Sequence, residues 1–389
     1  MRIAFTSRRP FNDGPLNQPI PENDQANMAY LLGADYFSFF SLKKLSTTQL
    51  AAKLQPYDLV FIPLDLRDFE TVQHIAGGSN GRYILYSEGG IADYQLLNAT
   101  GQAAYLQIIR HAKAIFLYWE KYVPFFQSIT DKPVAYLPYP FFEEMARHYR
   151  LPLEKRANRI SLPSGIASST RNGLSSLLTA RHMLRQHLIS EIDCWLAPVT
   201  FSEEAAAVRH ILLDEPFQVL PPVRFNWRKW LQNSRFDYRP LLNMRRKLKS
   251  GTSSESNIPT VQQGPLALLR RQNWPTYLQR LSHSLLVLDL NNRPTVGRNA
   301  LDCAALGIPC ISTDYSDMQP KLFPQTTLTD SWNIPTAVDL ARRLLEDTSF
   351  YREVTQEAAV QLKAFLPEAF KARFAKITTD FPEILERSA

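Results

Sequence analysis

The stretch LLVLDLNNRPTVGRNALDCAALGIPCISTD, which runs from Leu285 to Asp314, decides the fold of this chain. It begins as a continuous apolar strand that ends at Asp289, and a polar loop containing Gly297 leads into a helix that Gly307 ends. A strand without polar alternation is typical of a parallel sheet covered on both faces. A helix that follows such a strand offers free backbone amides and a positive dipole end. The stretch therefore predicts a strand–helix–strand unit with an anion site at the start of its helix.

The same alternation of strand and helix extends outward in both directions. In the first half of the chain, apolar strands are predicted at Arg2–Ser7, Tyr57–Ile62, Arg82–Tyr86, Ala114–Tyr118 and Pro133–Leu137. After a charged linker, Glu143–Asn158, further strands are predicted at Arg159–Leu162, Ile192–Ala197, Phe217–Leu220, Leu285–Leu290 and Pro309–Ser312. Helical segments separate these strands, and Asp24 is predicted to cap the first of them, Gln25–Leu32. The pattern predicts an α/β protein with two tandem Rossmann-like, doubly wound domains.

The alternation also places the domain boundaries. We predict a first domain at 1–150, a second at 159–350 and a C-terminal helix at 351–389 that packs back on the first domain. The alternation stops at about 222–272, which predicts an insertion in the second domain. Within it, the Ser/Thr/Gln/Gly tract Ser250–Gly264 lacks periodicity and is typical of disordered segments.

Composition excludes several classes of protein. Of the 389 residues, 45% are apolar and 21% charged, which supplies a packed core and excludes a wholly disordered chain. The apolar runs are far shorter than the ~20 residues of a membrane helix, and the first strand follows no signal segment. The three cysteines suit neither a disulfide framework nor a zinc finger. We expect a soluble, cytoplasmic protein.

The positive charge is concentrated in one segment. The formal net charge is +7. Nine Lys or Arg residues and one acidic residue lie between Arg224 and Lys249, so this segment carries a net charge of +8 and the remaining residues carry −1. Aromatic residues are interleaved with these cations, which suits a nucleic-acid backbone or an anionic membrane surface. The residues predicted to contact such a polyanion or the acceptor are Arg228, Lys229, Arg245, Arg246 and Lys247.

The segment DCAALGIPCI, Asp302–Ile311, resembles the donor-binding segment of nucleotide-sugar glycosyltransferases of the GT-B fold, which reads Glu-Ala-x-Ala-x-Gly-x-Pro-Val-Ile. The resemblance implies that Asp302 holds the ribose of a nucleotide sugar. It also implies that the start of the preceding helix meets the diphosphate, through Thr295, Val296, Gly297 and Arg298. Retaining members carry a second Glu eight residues earlier, where this chain has Pro294. This departure favours an inverting mechanism, although retention stays open.

A second match is SGIASSTRNG, Ser164–Gly173, which is similar to the Gly-containing strand end that precedes the phosphate-binding cations of this family. The resemblance implies that Arg171 neutralises the leaving diphosphate, with Ser168 and Ser169 beside it. Val223 lies where relatives hold the nucleobase through backbone groups. The nucleotide sugar is a co-substrate, and we predict neither a further cofactor nor a metal ion.

The first domain is expected to supply the acceptor site and a general base. Glu88 follows an apolar strand, and ligands of open α/β sheets bind at the carboxyl ends of the strands. Tyr86-Ser87-Glu88 looks similar to the aromatic-Thr-Asp of the phage DNA β-glucosyltransferases, whose Asp is the catalytic base. Asp13, in the long Pro-rich loop after the first strand, is the competing candidate.

The resemblance implies a transferase that moves a sugar from a nucleotide sugar to an acceptor hydroxyl. A saccharide or lipid-linked saccharide is the commonest acceptor of the fold, and the basic segment would then contact an anionic membrane. A hydroxymethylated pyrimidine in DNA is the alternative acceptor, which the same segment and Tyr86-Ser87-Glu88 favour. A third hypothesis is a non-catalytic nucleic-acid-binding protein that keeps a transferase-like fold.

Overall fold

A seven-stranded sheet organises the first half of the chain. The computed structural model describes residues 1–20, 23–87, 94, 97–164, 173–196, 201–216, 261–270 and 272–386. In the described part the strands run in the order β2-β3-β1-β4-β5-β6-β7, with only β2 antiparallel to its neighbour. Their bounds are β1 Ile3–Ser7, β2 Gly14–Pro15, β3 Asp35–Ser38, β4 Leu59–Pro63, β5 Tyr83–Ser87, β6 Ala114–Leu117 and β7 Val134–Tyr136.

Helices cover both faces of this sheet. Residues in β1, β4 and β5 are buried throughout, as expected for central strands that are apolar on both faces. The helix α3 begins with a capping box between Ser46 and Gln49, in which each side chain accepts the other's backbone N–H. The helices of this half are α1 Asp24–Leu31, α2 Phe39–Leu42, α3 Thr47–Leu54, α4 Phe69–Gly78, α5 Ala99–His111, α6 Val123–Ile129 and α7 Glu143–Arg147.

The second half repeats the architecture around its own sheet. The order is β10-β11-β9-β8-β12-β13-β14, with only β10 antiparallel to its neighbour. The strands are β8 Arg159–Leu162, β9 Glu191–Leu196, β10 Val261–Gln263, β11 Leu266–Arg270, β12 Leu286–Asp289, β13 Cys310–Thr313 and β14 Thr327–Leu328. The helices are α8 Gly173–Arg185, α9 Phe201–Leu213, α10 Trp274–Leu281, α11 Arg298–Leu306, α12 Gln319–Leu322, α13 Ile334–Glu346, α14 Thr348–Gln361 and α15 Pro367–Asp380.

The predicted insertion at 222–272 is wrong at its C-terminal end. There β11 is a strand of the second sheet, parallel to β9, and its residues Leu266–Leu269 are buried. This apolar run of four residues is what a buried parallel strand requires. The strand β10 likewise lies inside the tract Ser250–Gly264 that was predicted to be disordered. The predicted strand Phe217–Leu220 and residues 221–260 lie outside the described residues.

The predicted C-terminal unit 351–389 is divided between the two cores. Residues of α14, such as Tyr351 and Val354, are buried in the core of the second domain. The helix α15 instead inserts Phe370 and Ile377 into the core of the first domain. There the ring of Phe374 lies 6.4 Å from that of Phe61, centroid to centroid. An aromatic face of α15 therefore closes one side of the first sheet.

The chain thus crosses between the domains twice. It leaves the first core after Tyr139 and joins the second at Phe141, and it returns between Phe365 and Phe370. The two crossings are bonded to each other, because the amide of Phe141 donates to the carbonyl oxygen of Phe365 at 2.7 Å. The linker beyond the first crossing is fixed to the second domain, where Arg156 donates to the carbonyl oxygens of Leu306 and Gly307.

The predicted fold class, two tandem Rossmann-like domains, is confirmed by these two mostly parallel, doubly wound sheets. None of the helices in the described ranges combines the length and the apolar character that crossing a membrane requires.

Candidate functional site

The candidate site begins at the point where the strand order of the second sheet reverses. There β8 has β9 on one side and β12 on the other. In open α/β sheets, the ligand-binding crevice lies at such a point, outside the carboxyl ends of the strands. The hydroxyl of Ser164, just after β8, donates to Oδ1 of Asp289 at 2.5 Å. The side-chain amide of Asn299, in the first turn of α11, donates to the other oxygen, Oδ2, at 2.8 Å. Asp289 therefore joins both edges of the crevice to the helix that begins there.

The loop that leads into α11 is held by the segment after β13. The amide of Thr295 donates to the carbonyl oxygen of Tyr315 at 2.9 Å, and the carbonyl of Val296 accepts from the amide of Met318 at 3.2 Å. The amide of Thr295 thus already has an acceptor, and its contact with the diphosphate stays a prediction. Val296 packs against the cores of both domains. The loop therefore lies at the interface between the two domains.

Gly297 caps α11 in the left-handed conformation, with φ 89° and ψ 40°, and no side chain caps the helix. A Cβ at this position would collide with the hydroxyl oxygen of Ser316 and lie 3.1 Å from the Cβ of Met318. Both the positive φ and the close approach therefore require glycine. The amide of Ala300 donates to the carbonyl oxygen of Gly297 at 3.0 Å. The start of α11 carries the positive end of the helix dipole, which favours an anion at this position.

Arg298, the first residue of α11, connects the two domains. Its guanidinium forms an ion pair with Asp24, the first residue of α1, and a second one with Asp302 at 3.2 Å. It also lies over the rings of Trp274 and Phe141, at 4.7 and 5.0 Å from their centroids. Burial opposes the charge of this guanidinium, but the two carboxylates outweigh burial and raise its pKa. Arg298 is thus a fixed cation at the start of the helix.

The structure encloses Asp302 within the protein. Its side chain is 2% exposed, and Oδ1 accepts from the indole N–H of Trp274 at 3.0 Å and from Arg298 at 3.2 Å. Burial raises the pKa of this carboxyl to about 6, although Arg298 and Trp274 act in the opposite direction. A ribose hydroxyl would have to reach a carboxylate that two protein donors already engage. Ribose binding by Asp302 stays a prediction.

The carboxyl edge of the first sheet carries polar groups on the other side of the cleft. At the reversal point between β1 and β4, Arg8 pairs with the buried Asp65 at 3.3 Å. Beside them, the hydroxyl of Ser7 donates to Oε1 of Gln25 in α1. The amide nitrogen of Gln25 is buried and has no partner among the described residues. This edge can therefore still donate a hydrogen bond to a bound group.

The two base candidates have different outcomes. The carboxylate of Asp13 accepts from the amide of Ser38 and the hydroxyl of Ser41, both at 3.0 Å, and from Lys53 at 3.1 Å. Three donors thus hold Asp13 as a tether of the N-terminal loop to β3 and its neighbours. Glu88 follows Ser87, the last residue of β5, and itself lies outside the described residues.

Other predicted site residues also lie outside the described ranges, and their roles stay predictions. They are Ser168, Ser169, Arg171, Val223, Arg228, Lys229, Arg245, Arg246 and Lys247. Within the described ranges, no group of three His, Cys, Asp or Glu side chains lies together as a possible metal site.

Sequence reasoning missed the ion pair of Asp24 and the network around Asp289. Asp24 was interpreted as the cap of α1, but the cap is Asn23, whose side chain accepts from the amide of Ala26 at 3.1 Å. The sequence did carry a signal for a further role of Asp24, since this acidic residue directly follows Asn23, which is already able to cap the helix. For Asp289, the signal was a carboxylate at the very end of a buried strand.

A second set of contacts joins the domains away from the crevice. Buried Asp317 accepts from the hydroxyl of Tyr136 at 2.8 Å and pairs with Lys321 at 2.8 Å. Lys321 also reaches Glu120 of the first domain at 3.1 Å. Burial raises the pKa of the Asp317 carboxyl despite these donors. Tyr136 and Glu120 belong to the first domain, whereas Asp317 and Lys321 belong to the second. This cluster therefore fixes the position of the two domains relative to each other.

Comparison with known proteins identifies the fold. No protein-family profile and no curated protein matches the chain. Among solved structures, HepE from Anabaena in complex with UDP and glucose aligns with a TM-score of 0.62 at 10% identity, over 98% of this chain and 100% of that one. An α,α-trehalose-6-phosphate synthase from Burkholderia multivorans aligns at 0.57 and 11% identity, over 90% and 77%. The chain therefore has the GT-B fold of the nucleotide-sugar glycosyltransferases.

Proposed function

We propose that this protein is a glycosyltransferase that uses a nucleotide sugar as its donor. The observation that carries the proposal is the network at the reversal point of the second sheet. There Ser164, Asp289 and Asn299 hold the strand ends to the start of a glycine-capped helix, which carries the positive end of the helix dipole. A nucleoside diphosphate is the anion that this arrangement suits. The fold likeness to HepE, solved with UDP and glucose, and to a UDP-forming α,α-trehalose-phosphate synthase supports the same donor class.

In the proposed reaction, an acceptor hydroxyl oxygen forms a bond to the anomeric carbon as the bond from that carbon to the diphosphate oxygen breaks. The negative charge that develops on the diphosphate is stabilised by the first amides of α11, by the Arg298 cation and by Arg171. A carboxylate at the carboxyl edge of the first sheet accepts the proton of the hydroxyl. Glu88 is our candidate, since Asp13 is already engaged by three donors.

For the acceptor, we favour a saccharide or a lipid-linked saccharide. The neighbours include enzymes named for the synthesis of a disaccharide phosphate, which supports a sugar hydroxyl as the acceptor group. The alternative, a hydroxymethylated pyrimidine in DNA, depends on the segment from Arg224 to Lys249, which lies outside the described residues. No contact of the described residues adds support to the DNA hypothesis.

A thermal-shift screen of nucleotide sugars tests the donor, with UDP-glucose as the first compound. A donor present at 100 times its Kd should add about 2.7 kcal/mol to the free energy of unfolding. Slow release of free sugar from the same donor without acceptor would then separate an enzyme from a non-catalytic binder. A chain that no nucleotide sugar stabilises at millimolar concentration is not a transferase of this kind.

A further inference from the structure

The two helices that begin at the cleft meet through their first residues. Asp24 starts α1 in the first domain, and Arg298 starts α11 in the second, 274 positions later. Both side chains are partly exposed, whereas Asp302, the other carboxylate on Arg298, is almost fully enclosed. The guanidinium therefore has an inner partner from its own helix and an outer partner from across the cleft.

The inner contacts fix Arg298 independently of Asp24. Asp302 lies one turn further along the same helix, and the rings of Trp274 and Phe141 lie against the guanidinium. A cation at the N-terminus of a helix is disfavoured by the helix dipole, so these contacts offset an unfavourable position. The placement is costly for stability alone, but it is suited to an anion that arrives at the same helix end.

The charges then imply a competition. Asp24, Arg298 and Asp302 together carry a net charge of −1 when both carboxyls are ionised. A diphosphate that approaches the first turn of α11 would meet the carboxylate of Asp24 on the accessible side of Arg298, and like charges repel strongly in a partly buried site. Departure of Asp24 would leave the remaining pair of Arg298 and Asp302 neutral and remove this repulsion.

We propose that Asp24 and the diphosphate of a bound nucleotide sugar compete for the same side of Arg298. Binding of the donor then exchanges an ion pair between the domains for one between protein and donor. This inference rests on the proposed function, since it takes the donor to be a nucleoside diphosphate sugar. It assigns Asp24 the role of an internal competitor that couples donor affinity to the contact between the domains.

The test measures UDP affinity by calorimetry for wild type, Asp24→Asn and Asp24→Glu. The Asn variant loses the competing charge and should bind UDP at least about fivefold more tightly, in the range of ordinary coupling between sites. The Glu variant keeps the charge and should resemble wild type. Because the competition is electrostatic and partly exposed, the gain of the Asn variant should shrink as salt is raised. Loss of a purely structural contact would not improve affinity.

Two further variants make the test specific. Arg298→Gln should abolish the gain of Asp24→Asn in the double variant, since the two charges act on one side chain. Asp314→Asn removes another contact between the domains, the pair with Lys121 at 2.7 Å, and should leave UDP affinity unchanged. Equal or weaker UDP binding by Asp24→Asn overturns the inference, and so does a Glu variant that behaves like Asn.

The outcomes also separate this inference from the proposed function. If UDP-glucose stabilises the wild type and Asp24→Asn brings no gain, the transferase stands and only the competition is wrong. If no nucleotide sugar of the screen stabilises either the wild type or Asp24→Asn, both proposals are wrong.

Discussion

At the scale of single residues, the pKa of Asp302 predicts an unusual dependence of stability on pH. Burial raises this pKa to about 6, above the ordinary value of 3.8. A carboxyl whose pKa is raised by folding binds its proton more tightly in the folded state, so its contribution is full below about pH 3.8 and is lost as pH rises through 6. The free energy of unfolding of the wild type, relative to Asp302→Asn, should therefore fall by about 3 kcal/mol across this window.

Urea denaturation of both proteins between pH 4 and pH 7.5 measures this difference. Asp347→Asn is the matched control, because hydrogen bonds from the amides of Phe350 and Ser349 lower the pKa of the Asp347 carboxyl. The contribution of Asp347 is lost only as pH falls below about 3.8, so it should stay nearly constant across this range. If the free energy of unfolding of the wild type, relative to Asp302→Asn, stays constant or rises with pH, then burial does not destabilise the carboxylate of Asp302.

Gly297 is the residue whose replacement should be least tolerated in the loop before α11. Gly297→Ala adds a Cβ at positive φ, and this atom would collide with Ser316. We expect a loss of about 1–3 kcal/mol in the free energy of unfolding. The control is Gly77→Ala in α4, where a Cβ meets nothing within 4 Å. Alanine there should be neutral or stabilising by up to about 1 kcal/mol. Similar effects at both positions would refute the requirement for glycine.

At the scale of elements, Asp289 is expected to combine a structural and a binding role. Asp289→Ala leaves Ser164 and Asn299 without their acceptor, which should cost about 2–4 kcal/mol of stability. It also frees the end of β8 from the start of α11, so UDP-glucose affinity should fall at least about tenfold, the effect of losing roughly 1.4 kcal/mol of binding.

Asp193 in β9 offers the comparison, because it is equally buried and binds Arg280 through two hydrogen bonds of 2.6 and 2.7 Å. It lies in the interior of its strand, away from the crevice. Asp193→Ala should destabilise the protein to a similar extent and leave UDP-glucose affinity unchanged. Equal losses of affinity in the two variants would mean that Asp289 acts only through stability.

The sequence predicted most elements for a simple physical reason. Central parallel strands are buried on both faces, so β4, β5 and β12 are apolar runs that stand out without any partner. The strand β11 is equally apolar, but it follows a polar segment and was therefore assigned to the insertion together with that segment. Capping of α1 was assigned to Asp24 instead of Asn23, because both residue types suit the position.

The candidate site was less predictable because its decisive contacts are distant in sequence. The glycine-led start of α11 was visible locally, and the left-handed Gly297 agrees with it. The partners of Arg298 and Asp289 were not visible, since Asp24 and Ser164 lie 274 and 125 positions away from them. The first pairing depends on how the two domains are placed, and the second depends on the strand order of the second sheet. Composition and periodicity encode neither.

At the scale of the whole molecule, α15 makes the first domain depend on the end of the chain. Phe370 is 1% exposed in the first core, so Phe370→Ala should lower the free energy of unfolding by about 3–5 kcal/mol. Phe125 in α6 is 39% exposed, and Phe125→Ala should change the free energy by less than about 0.5 kcal/mol. Chemical denaturation followed by tryptophan fluorescence measures both. A small effect of Phe370→Ala would show that α15 is dispensable for the first core.

The return of the chain to its first domain has a consequence during synthesis on the ribosome. The seven strands of the first sheet are complete once β7 has been made, but α15 follows more than two hundred residues later. Until then Phe5, Phe61 and Phe116 lack the helix that covers them. A nascent chain in this state carries an exposed apolar surface while the second domain is still being made, and such surfaces bind chaperones or aggregate. Emergence of α15 from the ribosome, rather than completion of the first sheet, should therefore be the step at which the first domain becomes stable.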